Sequence, residues 1–241
     1  MSGHSKWNNI KHKKEKSDAA KAKIFTKIGK EMAVAIKAGG PDPNNNNKLR
    51  DLIAKAKANN VPNDNIQRTI KKFTDNSDIN YEEIVYEGYG PSGVAIIVET
   101  STDNRNRTAG NVRAAFNKYG GNMGQSGSVS FMFEEKGVIT IIDEDGEIDE
   151  DKIMEDALEC GAEDIKCEEG EITIYTEPAD LDAVRDAVIG LGYKIDTADV
   201  AKVPSTYVEL TSEDDIENME KMLDKFNEDD DVNAVYHNWD A

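Results

Sequence analysis

Residues 137–203 read GVITIIDEDGEIDEDKIMEDALECGAEDIKCEEGEITIYTEPADLDAVRDAVIGLGYKIDTADVAKV. This is the most regular stretch of the chain, because β-rich runs and helical patterns alternate along it. The runs predict strands at 138–142, 165–168, 172–176 and 193–203, and helices at 149–160 and 179–191. The resulting order, βαββαβ, is the ferredoxin-like arrangement. It predicts an inserted acidic ferredoxin-like domain over residues 135–204.

Incomplete α/β patterns lie on both sides of this stretch. Before it, strands are predicted at 84–89, 94–100 and 128–133, with a helix at 103–119. After it, strands at 207–210 and 232–237 flank a helix at 213–226. Because neither set completes a domain alone, we expect residues 80–134 and 205–241 to form one discontinuous α/β domain. The fold class is therefore α+β and multidomain.

The first 79 residues carry helical signals. Amphipathic patterns predict helices at 17–38, at 47–59 and from residue 63 to about residue 73. Phe25, Ile28, Met32 and Ile36 fall on one stripe of the first helix. Three helices with short connections predict a small three-helix bundle, so we expect residues 1–79 to form a basic helical domain with an amino-terminal arm.

The charge is strongly segregated along the 241 residues. The total is −19, yet residues 1–73 carry +11, residues 104–133 carry +4 and the remainder carries −34. Charges are screened beyond ~8 Å at physiological salt, so a partner responds to the local patch. No apolar run is long enough for a membrane span, no secretory signal is evident, and the two cysteines fit a reducing compartment. We expect a cytoplasmic protein without a membrane partner.

The basic amino-terminal region is the first candidate site. Lysines neutralise phosphates, and an aromatic ring in a basic arm can stack on a base. A merely solvated basic tail is the alternative, but the helices that follow continue the positive face. The candidate nucleic-acid contacts are Lys6, Trp7, Lys11, Lys13, Lys14, Lys23, Lys27, Lys30, Arg68, Lys71 and Lys72.

An arginine-rich motif, TDNRNRT at residues 102–108, is the second candidate. Thr102 or Asp103 can cap the predicted helix, which places two arginines in its first turns, against the helix dipole. An anion bound there would explain them, because amides and guanidinium groups both reach phosphate. The alternative is that they pair with acids such as Glu82 or Glu83. The candidate contacts on this helix are Arg105, Arg107, Arg113 and Lys118.

The glycine-rich segment GGNMGQSGS at residues 120–128 is the third candidate. It fits neither a P-loop nor the G-x-G-x-x-G pattern. Its backbone could approach a phosphate or ribose closely, or it could be a flexible turn into the next strand. In that strand, Val129, Phe131 and Phe133 would share one face, which predicts core packing, with base stacking as the alternative.

Enzyme and metal chemistry find no support in the sequence. His4, His12 and His237 are scattered, and Cys160 and Cys167 have no histidine near them. The acidic run at residues 143–146 does not match a calcium loop. No nucleophile, histidine and acid have a spacing that suggests catalysis. We expect a non-enzymatic protein with no metal, no cofactor and no small-molecule substrate.

Several motifs resemble those of the YebC/PmpR family, which includes mitochondrial translational activators. They are GHSKWxxIK from residue 3, KK at 13–14, TDNRNRT at 102–108, VRxxF at 112–116, GG at 120–121, GSV at 127–129 and VYHN at 235–238. The resemblance covers essentially the whole chain. It implies three domains, a helical one and two α/β domains, with the third inserted in the second. It also implies nucleic-acid binding, as a DNA-binding transcriptional regulator or as a translation factor.

The target remains open between DNA and RNA. Asn65, Gln67, Arg68 and Lys71 on the third helix suit duplex DNA, which makes a DNA-binding transcriptional regulator our first interpretation. The proline at position 62 counts against a helix-turn-helix. Two separate basic patches suit an irregular ribosomal or transfer RNA. The alternative is therefore a ribosome-associated, RNA-binding translational activator, with the ribosome as a candidate partner.

Overall fold

The computed structural model describes residues 18–75, 80–143, 145–168 and 170–240, which form two compact units. The first unit contains the described residues up to Ser130 together with Leu210–His237. The second unit contains Phe131–Glu209 and the residues from Asn238 onward. Some predicted contacts lie outside the described residues, namely Lys6, Trp7, Lys11, Lys13 and Lys14.

The described part of the chain is a mixture of α-helices and antiparallel sheets. The helices are α1 (Asp18–Gly39), α2 (Asn47–Ala58), α3 (Asn63–Thr74), α4 (Arg105–Lys118), α5 (Glu150–Glu159), α6 (Leu181–Gly190) and α7 (Glu213–Glu228). The longer strands are β1 (Glu82–Tyr89), β2 (Ala95–Thr102), β4 (Phe133–Ile142), β5 (Asp164–Glu168), β6 (Glu171–Thr176), β7 (Thr197–Pro204) and β9 (Val232–His237). The two-residue strands are β3 (Asn122–Met123), β8 (Val208–Glu209) and β10 (Trp239–Asp240).

Helices α1, α2 and α3 share one apolar core in the first unit. Ile28 and Met32 of α1 pack with Leu49 of α2 and Ile66 of α3, all of them buried. The buried Asn46 side chain caps α2 by accepting from the Leu49 N–H, and it donates to the carbonyls of residues 35 and 40. This cap fixes the turn between α1 and α2.

The sheet of the first unit joins distant parts of the chain. Its order is β3-β1-β2-β9, and every pair is antiparallel. Strand β2 is almost fully buried, from Ala95 to Val98. Helices α4 and α7 meet through Phe116 and Phe226, whose ring centroids are 5.2 Å apart. The carboxy-terminal segment therefore completes the sheet that begins at residue 82.

The second unit is built on another antiparallel sheet, with the order β5-β6-β4-β7. Its elements follow one another as βαββαβ, the succession that the sequence predicts for residues 137–203. Ile139 and Ile174 of the sheet pack against Ile153 of α5 and Val184 of α6. Strand β8 forms a short parallel pair with β10.

The strand predicted at 128–133 is wrong. Residues 126–129 form turns, Ser130–Met132 form a 3₁₀ turn, and β4 begins only at Phe133. Val129 is buried, whereas Phe131 is 75 % exposed, so these residues do not share a strand face. The physical reason is that the backbone N–H groups of Gly127, Val129 and Ser130 all donate to the buried carboxylate of Glu87. An extended strand could not direct these N–H groups at one side chain.

Candidate nucleic-acid interface

Helix α3 presents a cationic outer face. Its apolar side is formed by the buried Ile66 and the half-buried Ile70 and Phe73, a helical spacing that leaves Arg68 and Lys71 exposed. Within the described residues, neither of these two cations has an ion-pair partner. Lys72 is also exposed, and its Nζ lies 5.1 Å from the Phe73 ring centroid. The face is therefore open to an external anion.

The three candidate lysines of α1 lie against the carboxy-terminal end of α7. Lys23 Nζ donates to the Glu228 carbonyl at 3.2 Å, and Lys27 Nζ donates to the Asn227 carbonyl at 3.1 Å. Lys30 Nζ donates to the carbonyl of residue 230 at 2.8 Å. A helix carboxy terminus carries partial negative charge and unpaired carbonyls, so it attracts these cations. The positive stripe of α1 thus serves contacts within the first unit.

Asp231 is the centre of a buried ionic cluster, and its side chain is only 5 % exposed. Its Oδ1 accepts from Lys30 Nζ at 2.6 Å, and its Oδ2 accepts from Arg107 Nη2 at 2.7 Å and Thr108 Oγ1 at 2.8 Å. Burial by itself would raise the pKa of Asp231, but these hydrogen bonds outweigh it and lower the pKa to about 2. The cluster ties α1 and α4 to the start of β9.

The TDNRNRT motif at residues 102–108 supplies the cap of α4 and several ion pairs within the first unit. The Asn104 side chain, rather than Thr102 or Asp103, caps α4 by accepting from the Arg107 N–H at 3.0 Å. Arg107 also pairs with Asp103 at 2.8 Å, and its hydrogen bonds with Asp231 and Asp103 raise its pKa. Arg105 pairs with Glu82 at 2.9 Å, with both side chains substantially exposed. The guanidinium groups of Arg105 and Arg107 are therefore both paired with carboxylates of the chain itself.

The rest of α4 supplies two exposed cations. Arg113 is exposed, and no ion pair of it is found in the described ranges. Lys118 is also exposed and lies in the last turn, where its Nζ is 5.0 Å from the Tyr119 ring centroid. A lysine at this end of a helix agrees with the helix dipole. Both residues are accessible to a polyanion.

Glu87 organises the glycine-rich loop. This residue of β1 is 4 % exposed, and its carboxylate accepts from the backbone N–H groups of Gly127 at 2.7 Å, Val129 at 2.8 Å and Ser130 at 2.8 Å. Burial alone would raise its pKa, but the three amide hydrogen bonds lower it. Amides that could have held a phosphate thus already hold an internal anion. The lone acid in the strand pattern IVYEGY was the sequence signal for this role.

A groove between α1 and α3 is a feature that the sequence analysis did not find. It has a volume of about 290 Å³. Phe25 and Gly29 line it from α1, and Ile66 and Thr69 line it from α3. Arg68, one of the open cations, also belongs to its lining. The groove therefore adjoins the cationic face of α3.

Within the described ranges, no group of three histidine, cysteine, aspartate or glutamate side chains is arranged to hold a metal ion. None of the helices described is both long and apolar enough to span a bilayer.

Comparison with known proteins adds independent information. The family model described as "TACO1/YebC protein N-terminal domain" matches residues 5–76, and "TACO1/YebC second and third domain" matches residues 81–239. Probable transcriptional regulatory proteins of Lachnoclostridium phytofermentans and Agathobacter rectalis are 55 % and 58 % identical over 241 residues, covering 100 % of each chain. The crystal structure of a conserved hypothetical protein from Aquifex aeolicus matches with a TM-score of 0.81 at 41 % identity, over 92 % of this chain and 91 % of that chain.

These matches confirm the resemblance that the sequence motifs indicated. Both family models together cover nearly the whole chain, and the relatives align over their full length. The names of the curated relatives point to a regulatory role. The chain therefore belongs to the TACO1/YebC family.

Proposed function

We propose that this protein is a non-enzymatic, nucleic-acid-binding regulator whose principal contact is the cationic face of α3, with Arg68, Lys71 and Lys72. The observation that carries the proposal is that some of the candidate cations have partners within the first unit and others do not. Those of α1 and of the start of α4 have partners inside the first unit, whereas Arg68 and Lys71 face outward without an ion pair in the described part. The arm before residue 18, together with Arg113 and Lys118, adds further contacts. The proposal includes a cytoplasmic location and no cofactor.

Duplex DNA is the first candidate target. Helices α2 and α3 are joined by the four residues 59–62, with Asn60 in the left-handed region at φ +58°. Helix-turn-helix motifs have a turn of this length, and their second helix enters the major groove. Pro62 lies at the N-cap of α3, where a missing backbone N–H removes no helical hydrogen bond. The names of the relatives support transcription as the regulated process.

RNA is the second candidate target, and the groove beside Arg68 favours it. A groove next to a cationic helix face suits a strand with accessible bases, which ribosomal and transfer RNA expose in loops. In this version the protein is a translation regulator that acts on or near the ribosome.

The salt dependence of binding tests the proposal. We expect Arg68→Ala with Lys71→Ala to weaken binding and to reduce the slope of log affinity against log salt. The reduction should be ~1.8 on duplex DNA or ~1.4 on single-stranded RNA, since each phosphate contact contributes ~0.9 or ~0.7. Removal of residues 1–16 should lower the slope as well. Each variant is titrated against a DNA duplex and a structured RNA of equal length.

A matched control separates local contacts from total charge. Lys221→Ala with Lys225→Ala removes the same charge from α7, where both lysines pair with glutamates. This control should leave the slope unchanged. An equal loss in both double variants would mean that only net charge matters, and an unchanged slope for the α3 variant would reject α3 as the contact. Crosslinking in cells followed by sequencing then assigns the target, because promoter fragments support DNA and ribosomal RNA supports the second candidate.

A further inference from the structure

The groove between α1 and α3 is kept open by the absence of a side chain. A Cβ placed on Gly29 would lie 3.9 Å from Thr69 Cγ2, which is an ordinary contact distance. Phe25, one helical turn before this glycine, is half-buried and lines the same groove. A larger residue at position 29 would therefore fill the space without a clash at its Cβ.

The chemistry of the lining is apolar with a few polar groups at its edge. Phe25, Met32 and Ile66 provide apolar surface, and the amide of the exposed Asn65 and the guanidinium of Arg68 provide hydrogen-bond donors. Among the described residues that line the groove, none is acidic. Its volume of about 290 Å³ lies just below the ~300–1,000 Å³ typical of small-molecule sites. That volume suits one planar ring system.

We propose that this groove binds a single unpaired nucleobase, with Arg68 at the phosphate next to it. The proposal rests on the nucleic-acid binding proposed above and names the feature that is recognised. An aromatic wall stacks on any base, and an asparagine amide can donate to and accept from a base edge. The cations Arg68 and Lys71 complement the phosphates on either side. A base inside a duplex is already stacked, so the groove selects loops, bulges and ends.

Two substitutions of one residue test this inference. Gly29→Leu places a branched side chain in the groove, whereas Gly29→Ala is the matched control that leaves most of it empty. Both replace a helical glycine by a better helix former, so both are expected to keep the fold. Phe25→Ala is a second test that removes the aromatic wall instead of blocking the groove. Thermal unfolding of each variant checks that it is folded.

The probe is an RNA hairpin with 2-aminopurine at one loop position, compared with a fully paired duplex of equal length and charge. We expect the unmodified protein to bind the hairpin more tightly and to change the 2-aminopurine fluorescence. Gly29→Leu and Phe25→Ala should lower hairpin affinity by roughly 5- to 150-fold, the range for loss of one stacked base. Duplex affinity should change by less than about twofold, and Gly29→Ala should behave as the unmodified protein does.

The outcomes distinguish this inference from the proposed function. Equal affinity of the unmodified protein for hairpin and duplex, or equal losses on both probes in Gly29→Leu, would overturn the base site while leaving nucleic-acid binding in place. Absence of binding to either probe would overturn both. The same hairpin made of DNA separates the two sources of an unpaired base, because tighter binding to the RNA form assigns the 2′-hydroxyl a role.

Discussion

Asp231→Asn is the substitution with the most clearly defined consequence for the fold. It keeps the shape of the side chain but removes the charge that holds Lys30 and Arg107. The pKa of Asp231 is lowered from 3.8 to about 2, and a shift of this size corresponds to about 2 kcal/mol of folding stability at pH 7. Removing one partner of a buried ion pair costs ~3–5 kcal/mol. We therefore expect a loss of ~2–4 kcal/mol.

The pH dependence follows from the direction of this shift. A carboxyl whose pKa is lowered in the folded state stabilises the protein above its unfolded value, and the stabilisation is lost as the pH falls through the folded value. The difference between the unmodified protein and Asp231→Asn should stay constant from pH 7 to pH 5. It should fall to about half of that value near pH 3.

Hydrogen exchange is the appropriate assay, because it measures the opening of each segment separately. Amides of β2 and α4 should exchange faster in Asp231→Asn, while those of β4 and β6 in the second unit serve as internal controls. Asp230→Asn is the matched variant, since it makes the same chemical change at an exposed neighbour. If both variants exchange alike, or if the effect of Asp231→Asn does not decrease toward pH 3, the account of the ionic cluster is wrong.

Two further predictions concern the buried carboxylates of Asp231 and Glu87. Arg107→Ala should destabilise the first unit by ~1–3 kcal/mol, because it removes a charged hydrogen bond from a buried carboxylate. Arg105→Ala should cost less, because its pair with Glu82 is exposed to solvent. Urea unfolding of both variants checks this order, and equal costs would contradict it. Glu87→Gln should loosen the loop at residues 124–130 at a cost of ~1–3 kcal/mol. Both carboxylate oxygens of Glu87 accept from the loop, and glutamine replaces one of them by an NH2 group that cannot accept. Faster exchange of the amides of Gly127 and Val129 is the expected signature, and unchanged exchange would show that Glu87 does not order the loop.

The sequence predicted the helical part of the first unit well. The first helix was expected at 17–38 and is observed at Asp18–Gly39, because its apolar stripe and the glycines after it are local signals. Among the described residues, the segment before β4 was assigned to the wrong structure, because the alternation of Val129, Phe131 and Phe133 does not reveal the carboxylate around which the loop turns. The strand predicted at 193–203 begins later than expected, at Thr197.

The candidate site was predicted less completely. Arg105 and Arg107 were expected to bind an external anion or to pair with acids, and the structure gives them Glu82 and Asp231 as partners. Glu82 was named among the alternatives, but Asp231 was not, because nothing in its neighbourhood marks it as buried. The groove beside Arg68 also escaped the sequence analysis, since it depends on how α1 and α3 approach each other.

The sequence by itself determined the order of the elements, the segregation of charge and the family, because each of these depends on short motifs or local periodicity. Only the tertiary structure decided which cations remain open to a partner. Lys30 and Asp231 are 201 residues apart, and Arg107 and Asp231 are 124 apart, so their pairing exists only after β9 has joined the sheet beside β2. Coulomb attraction depends on distance in space, which sequence separation does not give.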